Sequence, residues 1–292
     1  MTKKRYRKPT NFRNNTRELL ENIIEVTDDY GSKGYRLTLR QLYYQLVSQD
    51  TIPNKDSEYK KLSRIVTDAR MEGLIDWDII EDRLRIPRKP SEFEDIKELV
   101  DVAIQSYRLD RWKNQENYVE VWVEKDALSG VLEPITNRYH VNLLVNRGYS
   151  SISAMHDSAL RIKQNQNKNC VILYLGDHDP SGIDMVRDVR DRLHAFHCDM
   201  EVKKIALTME QINQYNPPPN PAKKSDPRSR TYMRNHGNES WELDALTPET
   251  LNELLITHIE EFLNKKEYNG ILEEDKRKLK QLTANFKKKQ SK

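Results

Sequence analysis

The stretch Cys170–Gly182, CVILYLGDHDPSG, is the part of the sequence from which the fold can be worked out. Its first six residues, Cys170–Leu175, are apolar and predict a buried strand. The strand stops at Gly176, and the following turn carries two carboxylates, Asp177 and Asp179, before a Pro-Ser-Gly sequence leads into a helix. In an open α/β sheet, ligands bind beyond the carboxyl ends of the strands. The two acids are therefore placed where a ligand is expected.

A second strand end supplies a further acid. The strand predicted at 118–123 is followed directly by Glu124 and Lys125. Carboxylates suit a hard cation such as Mg²⁺, and like charges gathered at one sheet edge would repel each other without a cation. We therefore predict that Glu124, Asp177 and Asp179 bind Mg²⁺. A surface turn is the alternative for the Asp177–Asp179 pair alone, because Asp, Pro, Ser and Gly all favour turns.

Alternating strands and helices from residue 117 onward predict a parallel sheet. The predicted strands are 118–123, 141–145, 170–175 and 202–207, and the predicted helices are 126–137, 151–165, 181–196 and 208–214. Residues 216–237 contain five prolines and predict neither a helix nor a central strand. The five Lys and Arg residues of this loop could cover a phosphate backbone, or the loop could simply be solvated.

The N-terminal part is helical in pattern. A helix is predicted at 16–29, and a second begins near Thr38. On a helical wheel Tyr43 falls on the apolar face, whereas Tyr44 lies on the flank, with Arg40 one turn before it on the same side. An exposed Tyr beside an Arg is also common on an ordinary amphipathic helix.

A third helix spans about 57–73 and projects Lys60 and Arg64 away from its apolar face. A short strand-like piece with a charged end follows at 74–85. A winged-helix DNA-binding domain typically has a helix, then a helix–turn–helix and then a wing. The sequence therefore predicts such a domain over 16–90. A plain helical bundle is the alternative. Next, Ser91 with Glu94 predicts a capping box that opens a helix to about Tyr107 and bridges the two domains.

Composition restricts the class of protein. The chain has 292 residues, enough for two domains, and 33% of them are charged. No run of about 18 apolar residues predicts a membrane span, and the basic N-terminus lacks the apolar segment of a secretory signal. The two cysteines, Cys170 and Cys198, suggest neither a disulfide framework nor a zinc site. We therefore expect a cytoplasmic protein without a membrane partner.

Charge is distributed unevenly. Residues 1–17 carry seven Lys or Arg and no acid, and residues 276–292 carry eight and no acid. Residues 18–275 hold 34 basic and 46 acidic residues. Basic arms on an acidic body often bind nucleic acid, although a solvated tail explains either arm taken alone.

The motifs VWVEKDAL and YLGDHDPSG resemble those of Toprim, the metal-binding domain of topoisomerases, primases and related nucleases. TLRQLYYQL ahead of a winged helix and a Toprim domain resembles the topoisomerase VI A subunit and its meiotic double-strand-break relatives, most closely their small phage and plasmid "mini-A" forms. The resemblance implies a fold that is α/β plus mostly-α. The domain plan is a basic arm at 1–15, a winged helix at 16–90, a linker helix at 91–115, a Toprim domain at 116–264, and a C-terminal helix with a basic tail at 265–292.

The resemblance also implies a mechanism. Tyr44, the second aromatic residue of the motif, would attack a DNA phosphodiester and form a 5′-phosphotyrosyl link, with Arg40 stabilising the charge. Glu124, Asp177 and Asp179 would hold Mg²⁺. Lys60, Arg64 and Lys125 would contact double-stranded DNA. A homodimer is implied in which the tyrosine of one protomer meets the metal site of the other.

The resemblance is incomplete. Relatives dock a separate ATPase subunit through the N-terminal segment, which is short and very basic in this chain, so the resemblance leaves that partner open. Two alternatives remain at this point. One is a Toprim nuclease that uses water as the nucleophile, and the other is a DNA-binding protein without cleavage activity.

Overall fold

The computed structural model describes residues 3–7, 12, 14–81, 90–146, 148–223 and 225–290. The fold is mixed α/β. The helices are α1 Asn14–Ser32, α2 Leu39–Ser48, α3 Asp56–Met71, α4 Ile96–Ser106, α5 Ser129–Tyr139, α6 Ile152–Gln164, α7 Pro180–Ala195, α8 Met209–Tyr215, α9 Ser229–His236, α10 Pro248–Glu261 and α11 Lys265–Gln290, with 3-10 turns at Asp126–Leu128 and Leu243–Ala245. The strands are β1 Asn117–Val123, β2 Asn142–Val145, β3 Asn169–Leu175, β4 Glu201–Ala206, β5 Asn220–Pro221 and β6 Glu239–Ser240.

The central sheet is parallel and has the strand order β2-β1-β3-β4. Each strand lies within a residue of its predicted position. Val123, the last residue of β1, is level with Leu175, the last residue of β3. The residues that follow these two strands therefore emerge side by side, as the sequence predicted.

The two faces of the sheet are covered by different helices because successive strand residues point to opposite sides. On one face Val121 and Leu173 belong to an apolar cluster that includes residues of α5 and α10. On the other face Trp122 and Tyr174, both fully buried, belong to a cluster with residues of α6 and α7. Burying apolar side chains on both faces stabilises the sheet.

A third apolar cluster holds the N-terminal helices together, with Leu42, Leu62 and Ile23 fully buried in it. The start of α2 is fixed by a capping box between Thr38 and Gln41. Ala245, from the segment after the sheet, belongs to the same cluster. The helical part and the sheet are therefore joined through apolar contacts.

Residues 74–81 form the first part of the predicted wing. After α3, Ile80 pairs with Leu37 in one isolated bridge, and residues 74–81 otherwise form turns and irregular structure. Residues 82–89 of the predicted wing and linker, and Lys224 of the predicted loop, lie outside the described residues. The structure thus provides a helical N-terminal part in which a winged helix stays a prediction.

The linker helix begins later than predicted. It starts at Ile96, and the side chain of Asp95 accepts a hydrogen bond from the main-chain nitrogen of Glu98. The predicted capping box at Ser91 is therefore wrong. Asp95 is itself a strong N-cap residue, and the acidic run that precedes the helix concealed which residue takes that place.

The segment 216–237 is more ordered than predicted. It contains strand β5 and the eight-residue helix α9, so the prediction that no helix forms there is wrong. All five prolines come before Ser229, and α9 begins only after the last of them. The prolines restrict the first half of the segment and leave the second half able to form a helix.

The described part of the N-terminal arm, residues 3–7, packs against α3. The main-chain nitrogens of Tyr6 and Arg7 donate to the carbonyl oxygen of Met71. The side chain of Lys3 forms an ion pair with Asp28, and the side chain of Arg7 forms one with Glu72. These basic side chains therefore have partners within the chain.

Among the described helices, none combines the length and the apolar character needed to cross a membrane.

Candidate active site

A cavity of about 610 Å³ lies between the N-terminal helices and the carboxyl edge of the sheet. Its walls come from α2, from residues 54–59, from the ends of β1 and β3, and from residues 220–242. Five acidic and three basic residues line it: Asp56, Glu124, Asp177, Asp179 and Glu242, and Arg40, Lys125 and Lys223. Tyr44 lines the same cavity. The fold thus brings most of the predicted site residues together.

The three predicted metal ligands each contact the protein through a carboxyl oxygen. Glu124 Oε2 accepts a hydrogen bond from the main-chain nitrogen of Asp177 at 3.0 Å. Asp177 Oδ1 accepts one from the nitrogen of Leu243 at 2.8 Å. Asp179 Oδ1 accepts one from the nitrogen of Gly182 at 2.6 Å and so caps α7. These contacts fix the direction of each carboxyl group.

Gly182 is required by the tight turn that presents the two aspartates. A Cβ atom at this position would lie 2.4 Å from the main-chain oxygen of Asp177. Lys204 Nζ donates a hydrogen bond to that same oxygen at 2.6 Å. Glycine and lysine therefore hold the backbone of the turn in one arrangement.

Lys125 is surrounded by carboxylates. Its ammonium nitrogen lies 2.8 Å from Asp177 Oδ1, 2.9 Å from Glu242 Oε2 and 2.9 Å from Asp244 Oδ2. Arg40 pairs with Glu242 and lies 3.3 Å from Asp244 Oδ2. Two cations and three acids from four different segments thus form one ion-pair network at the wall of the cavity.

Two of the acids that line the cavity, Glu242 and Glu124, have pKa values shifted in opposite directions. Burial alone would raise the pKa of Glu242, but Lys125 and Arg40 outweigh burial and lower it to about 2. Burial, together with the neighbouring carboxylate of Asp177, raises the pKa of Glu124 to about 7. The end of β1 therefore holds negative charge that is incompletely balanced, whereas Glu242 is well compensated.

The donor set fits Mg²⁺ in its chemistry. Glu124, Asp177 and Asp179 are hard oxygen donors, and the raised pKa of Glu124 indicates a site that a cation would stabilise. Within the described ranges, no three His, Cys, Asp or Glu side chains are grouped so that together they could hold a metal ion. Mg²⁺ commonly takes only one or two carboxylates and completes its shell with water and phosphate oxygens.

Tyr44 is buried, which corrects the prediction that it lies away from the core. Tyr43 and Tyr44 are each 4% exposed, and their rings meet edge to face. The guanidinium carbon of Arg40 lies 5.8 Å from the centre of the Tyr44 ring, on the side predicted. Burial raises the pKa of Tyr44 to about 12, and Glu242 adds to this effect. The helical wheel gave the correct flank, but residues from the 216–237 segment cover it.

The predicted DNA-contacting residues fall into two groups. Lys60 and Arg64 are exposed on α3. Lys125 is instead turned inward to its three carboxylates, an arrangement in which it balances charge at the acid cluster. DNA contact by Lys125 would need some of these ion pairs to open.

Sequence reasoning assigned no role to four residues at or beside the cavity: Asn220, Glu242, Asp244 and Lys204. Lys204 carried a local signal, because a lysine pair inside a predicted strand of a buried sheet needs partners. Glu242 and Asp244 follow Trp241 at alternate positions, a weaker signal for two acids on one side of an extended segment. Asn220 carried no sequence signal other than the prolines next to it.

His178, between the two aspartates, has a structural role in this arrangement. It is 4% exposed, its Nδ1 atom lies 2.9 Å from the hydroxyl of Tyr232, and its main chain pairs with Trp241. Burial lowers the pKa of His178 to about 4. Its ring thus anchors α9 and the segment after it to the acidic turn.

Neither the protein-family models nor the curated proteins compared with this chain match it. The geometry of the cavity is therefore the basis for a functional assignment.

Proposed function

We propose that the chain cleaves DNA strands by transesterification, with Tyr44 as the nucleophile and Mg²⁺ as the cofactor, in the manner of the topoisomerase VI A subunit. One observation carries the proposal: the Tyr44 side chain and the carboxyl groups of Glu124, Asp177 and Asp179 line the same cavity. A nucleophile and a set of hard oxygen donors are the two components that such a reaction needs.

The proposed domains follow from the resemblance of the sequence motifs to the same family. We assign a winged helix to 16–90 and a Toprim domain to 116–264. The four parallel strands, with Glu124 directly after β1 and Asp177 two residues after the end of β3, support the second assignment. The exposed side chains of Lys60 and Arg64 on α3 support binding of a DNA backbone by the first.

In the proposed step, the Tyr44 phenol oxygen bonds to a DNA phosphorus and the bond from phosphorus to the 3′ oxygen breaks. The phenol proton passes to water, and the 3′ oxygen leaves as a hydroxyl after taking up a proton from water. Arg40 stands beside the Tyr44 ring, where its positive charge favours the phenolate. Because the 5′-phosphotyrosyl bond retains the ester, the strand can be rejoined by the reverse reaction.

One or two of the carboxyl groups of Glu124, Asp177 and Asp179 would hold the cation, and water and phosphate oxygens would complete its shell. When bound, Mg²⁺ would neutralise charge on the transferring phosphate. Lys125 and Lys204 position these acids from the protein side, Lys125 through the Asp177 carboxylate and Lys204 through the main chain of the turn.

A second candidate is a Toprim nuclease in which water is the nucleophile. The burial of Tyr44 and its pKa of about 12 favour this alternative, because a phenol that ionises so reluctantly is a weak nucleophile near neutral pH. Both candidates use the same carboxyl groups. They differ in whether the 5′ end of the cleaved DNA is covalently bound to Tyr44 or free.

The deciding experiment treats supercoiled plasmid with purified protein and Mg²⁺ and stops the reaction with denaturant. The variants are Tyr44→Phe, Glu124→Gln, which keeps an acceptor for the Asp177 nitrogen, and Tyr59→Phe as a control from the same cavity. DNA 5′ ends bound covalently by the wild type and by Tyr59→Phe, but not by Tyr44→Phe, would support transesterification. Free ends that persist in Tyr44→Phe and vanish in Glu124→Gln would identify the nuclease. No cleavage by any chain would leave DNA binding alone, or an activity that needs an ATPase partner.

A mixing experiment tests whether Tyr44 acts on the acids of its own protomer or, as the family resemblance implies, on those of the other protomer in a homodimer. Tyr44→Phe chains combined with Glu124→Gln chains regain one intact site per dimer only if the tyrosine of one protomer serves the acids of the other. Because Tyr44 and Glu124 line one cavity within a single chain, we expect the mixture to stay inactive. Restored cleavage would mean that the tyrosine acts across the dimer.

A further inference from the structure

A chain of hydrogen bonds connects the two adjacent tyrosines of α2 through two asparagines. The Tyr43 hydroxyl donates to Asn54 Oδ1 at 3.0 Å. Asn54 Nδ2 donates to Asn220 Oδ1 at 2.8 Å. Asn220 Nδ2 in turn donates to the hydroxyl oxygen of Tyr44 at 3.2 Å. The last bond reaches the atom that acts as nucleophile in the proposed reaction.

The order of donors in this chain defines which way each amide points. An amide has one acceptor oxygen and one donor nitrogen. The Asn54 nitrogen also donates to the carbonyl oxygen of Pro219 at 3.0 Å, so its two N–H groups face the segment that contains Asn220. Since the Asn220 oxygen accepts from Asn54, its nitrogen is left to face Tyr44.

Asn220 is held by its main chain as well. It belongs to β5, where it pairs with Ser240 of β6, and the Ser240 hydroxyl donates to its carbonyl oxygen at 3.3 Å. Three prolines immediately precede it and restrict the backbone there. The amide therefore approaches Tyr44 from a restrained segment.

We propose that Asn220 is a further catalytic residue, which donates a hydrogen bond to the Tyr44 phenolate, and that Asn54 is the residue that positions it. The proposal rests on the proposed function. A phenolate in a buried site is unfavourable unless donors face it, and the Asn220 amide is such a donor. The same bond also favours Tyr44 as the leaving group when the strand is rejoined. In agreement with this role, the Asn220 contact lowers the pKa of Tyr44 against the larger effect of burial.

The test uses Asn220→Asp, which keeps the side-chain shape but removes the N–H donor, and Asn54→Asp, which removes the donor to Asn220. Asn216→Asp is the matched control, since it makes the same change on an exposed residue four positions earlier. Two properties are measured for each full-length chain. One is the rate at which the covalent adduct forms on plasmid DNA. The other is the phenol pKa of 3,5-difluorotyrosine placed at position 44, followed by ¹⁹F NMR without DNA.

We expect Asn220→Asp to slow adduct formation roughly 100-fold and to raise the phenol pKa, with a smaller change of the same sign in Asn54→Asp and none in Asn216→Asp. An unchanged adduct rate in Asn220→Asp would overturn the catalytic role. If the wild type forms no adduct, the proposed function fails and the catalytic role of Asn220 fails with it, and the phenol pKa then tests only the hydrogen bond from Asn220 to Tyr44. In that case a phenol pKa that also rises in Asn220→Leu, which removes the donor without adding a charge, supports the donor, and an unchanged pKa in Asn220→Leu overturns it.

Discussion

Replacing Glu242 by glutamine tests the ion-pair network through its pH dependence. Glutamine has the shape of protonated glutamate, so the wild type should be the more stable chain wherever Glu242 is ionised. Its pKa falls from 4.5 to about 2 on folding, and each pKa unit corresponds to ~1.4 kcal/mol. The ionised side chain therefore stabilises the fold by roughly 3 kcal/mol at pH 7.

The direction of the pH effect follows from the lowered pKa. A carboxyl group whose pKa is depressed by folding contributes its full stability above the unfolded-state value and loses it as the pH falls toward the folded-state value. The difference in unfolding free energy between wild type and Glu242→Gln should thus shrink from roughly 3 kcal/mol at pH 7 to roughly 2 kcal/mol at pH 3.5.

Urea unfolding at a series of pH values measures this difference. Glu239→Gln serves as the control, because this exposed side chain lies three residues away on the same segment, and we expect an effect of at most ~0.5 kcal/mol there. A difference for Glu242→Gln that is the same at every pH would refute the reasoning, because it would mean that Lys125 and Arg40 do not stabilise the ionised carboxylate.

Three further predictions concern residues around the cavity. Asp244→Ala should lower the unfolding free energy by ~3–5 kcal/mol, because a buried carboxylate that balances two cations is lost; a loss below ~1 kcal/mol in urea unfolding would contradict this. Gly182→Ala should cost ~1–3 kcal/mol and abolish Mg²⁺-dependent cleavage, because the added Cβ meets a main-chain oxygen at 2.4 Å, whereas Gly270→Ala, with no atom within 4 Å of the added Cβ, should be harmless. Lys60→Ala and Arg64→Ala should each reduce the slope of log affinity for DNA against log salt by ~0.9, and unchanged slopes would exclude them as phosphate contacts.

The sequence was most informative where one local rule decides the outcome. The β3 strand and the acids after it could be predicted, because an apolar run that ends at Gly176 leaves little freedom in the placement of Asp177. The level ends of β1 and β3 followed from the general behaviour of parallel sheets. Most of the helices were equally clear, but α9 was missed because of the prolines before it, and the start of α4 at Ile96 was obscured by several competing acidic cap residues.

The remaining features depend on contacts between distant positions. A helical wheel shows which flank Tyr44 occupies, but not that a segment some 170 residues later covers that flank. The family resemblance implied that Lys125 contacts DNA. Its actual partners, Glu242 and Asp244, approach only when the chain returns to the sheet edge. No local sequence pattern predicts a contact between residues so far apart in the chain.

The surplus of acids around the cavity has a thermodynamic consequence. Five acidic and three basic residues line it, so DNA phosphates meet an unfavourable potential unless a cation is present. Under the proposed function, Mg²⁺ and DNA therefore bind with positive coupling, and the factor by which one tightens the other must be the same in both directions. The chain would hold its metal weakly in free solution and firmly on DNA, so that the substrate itself completes the reactive centre.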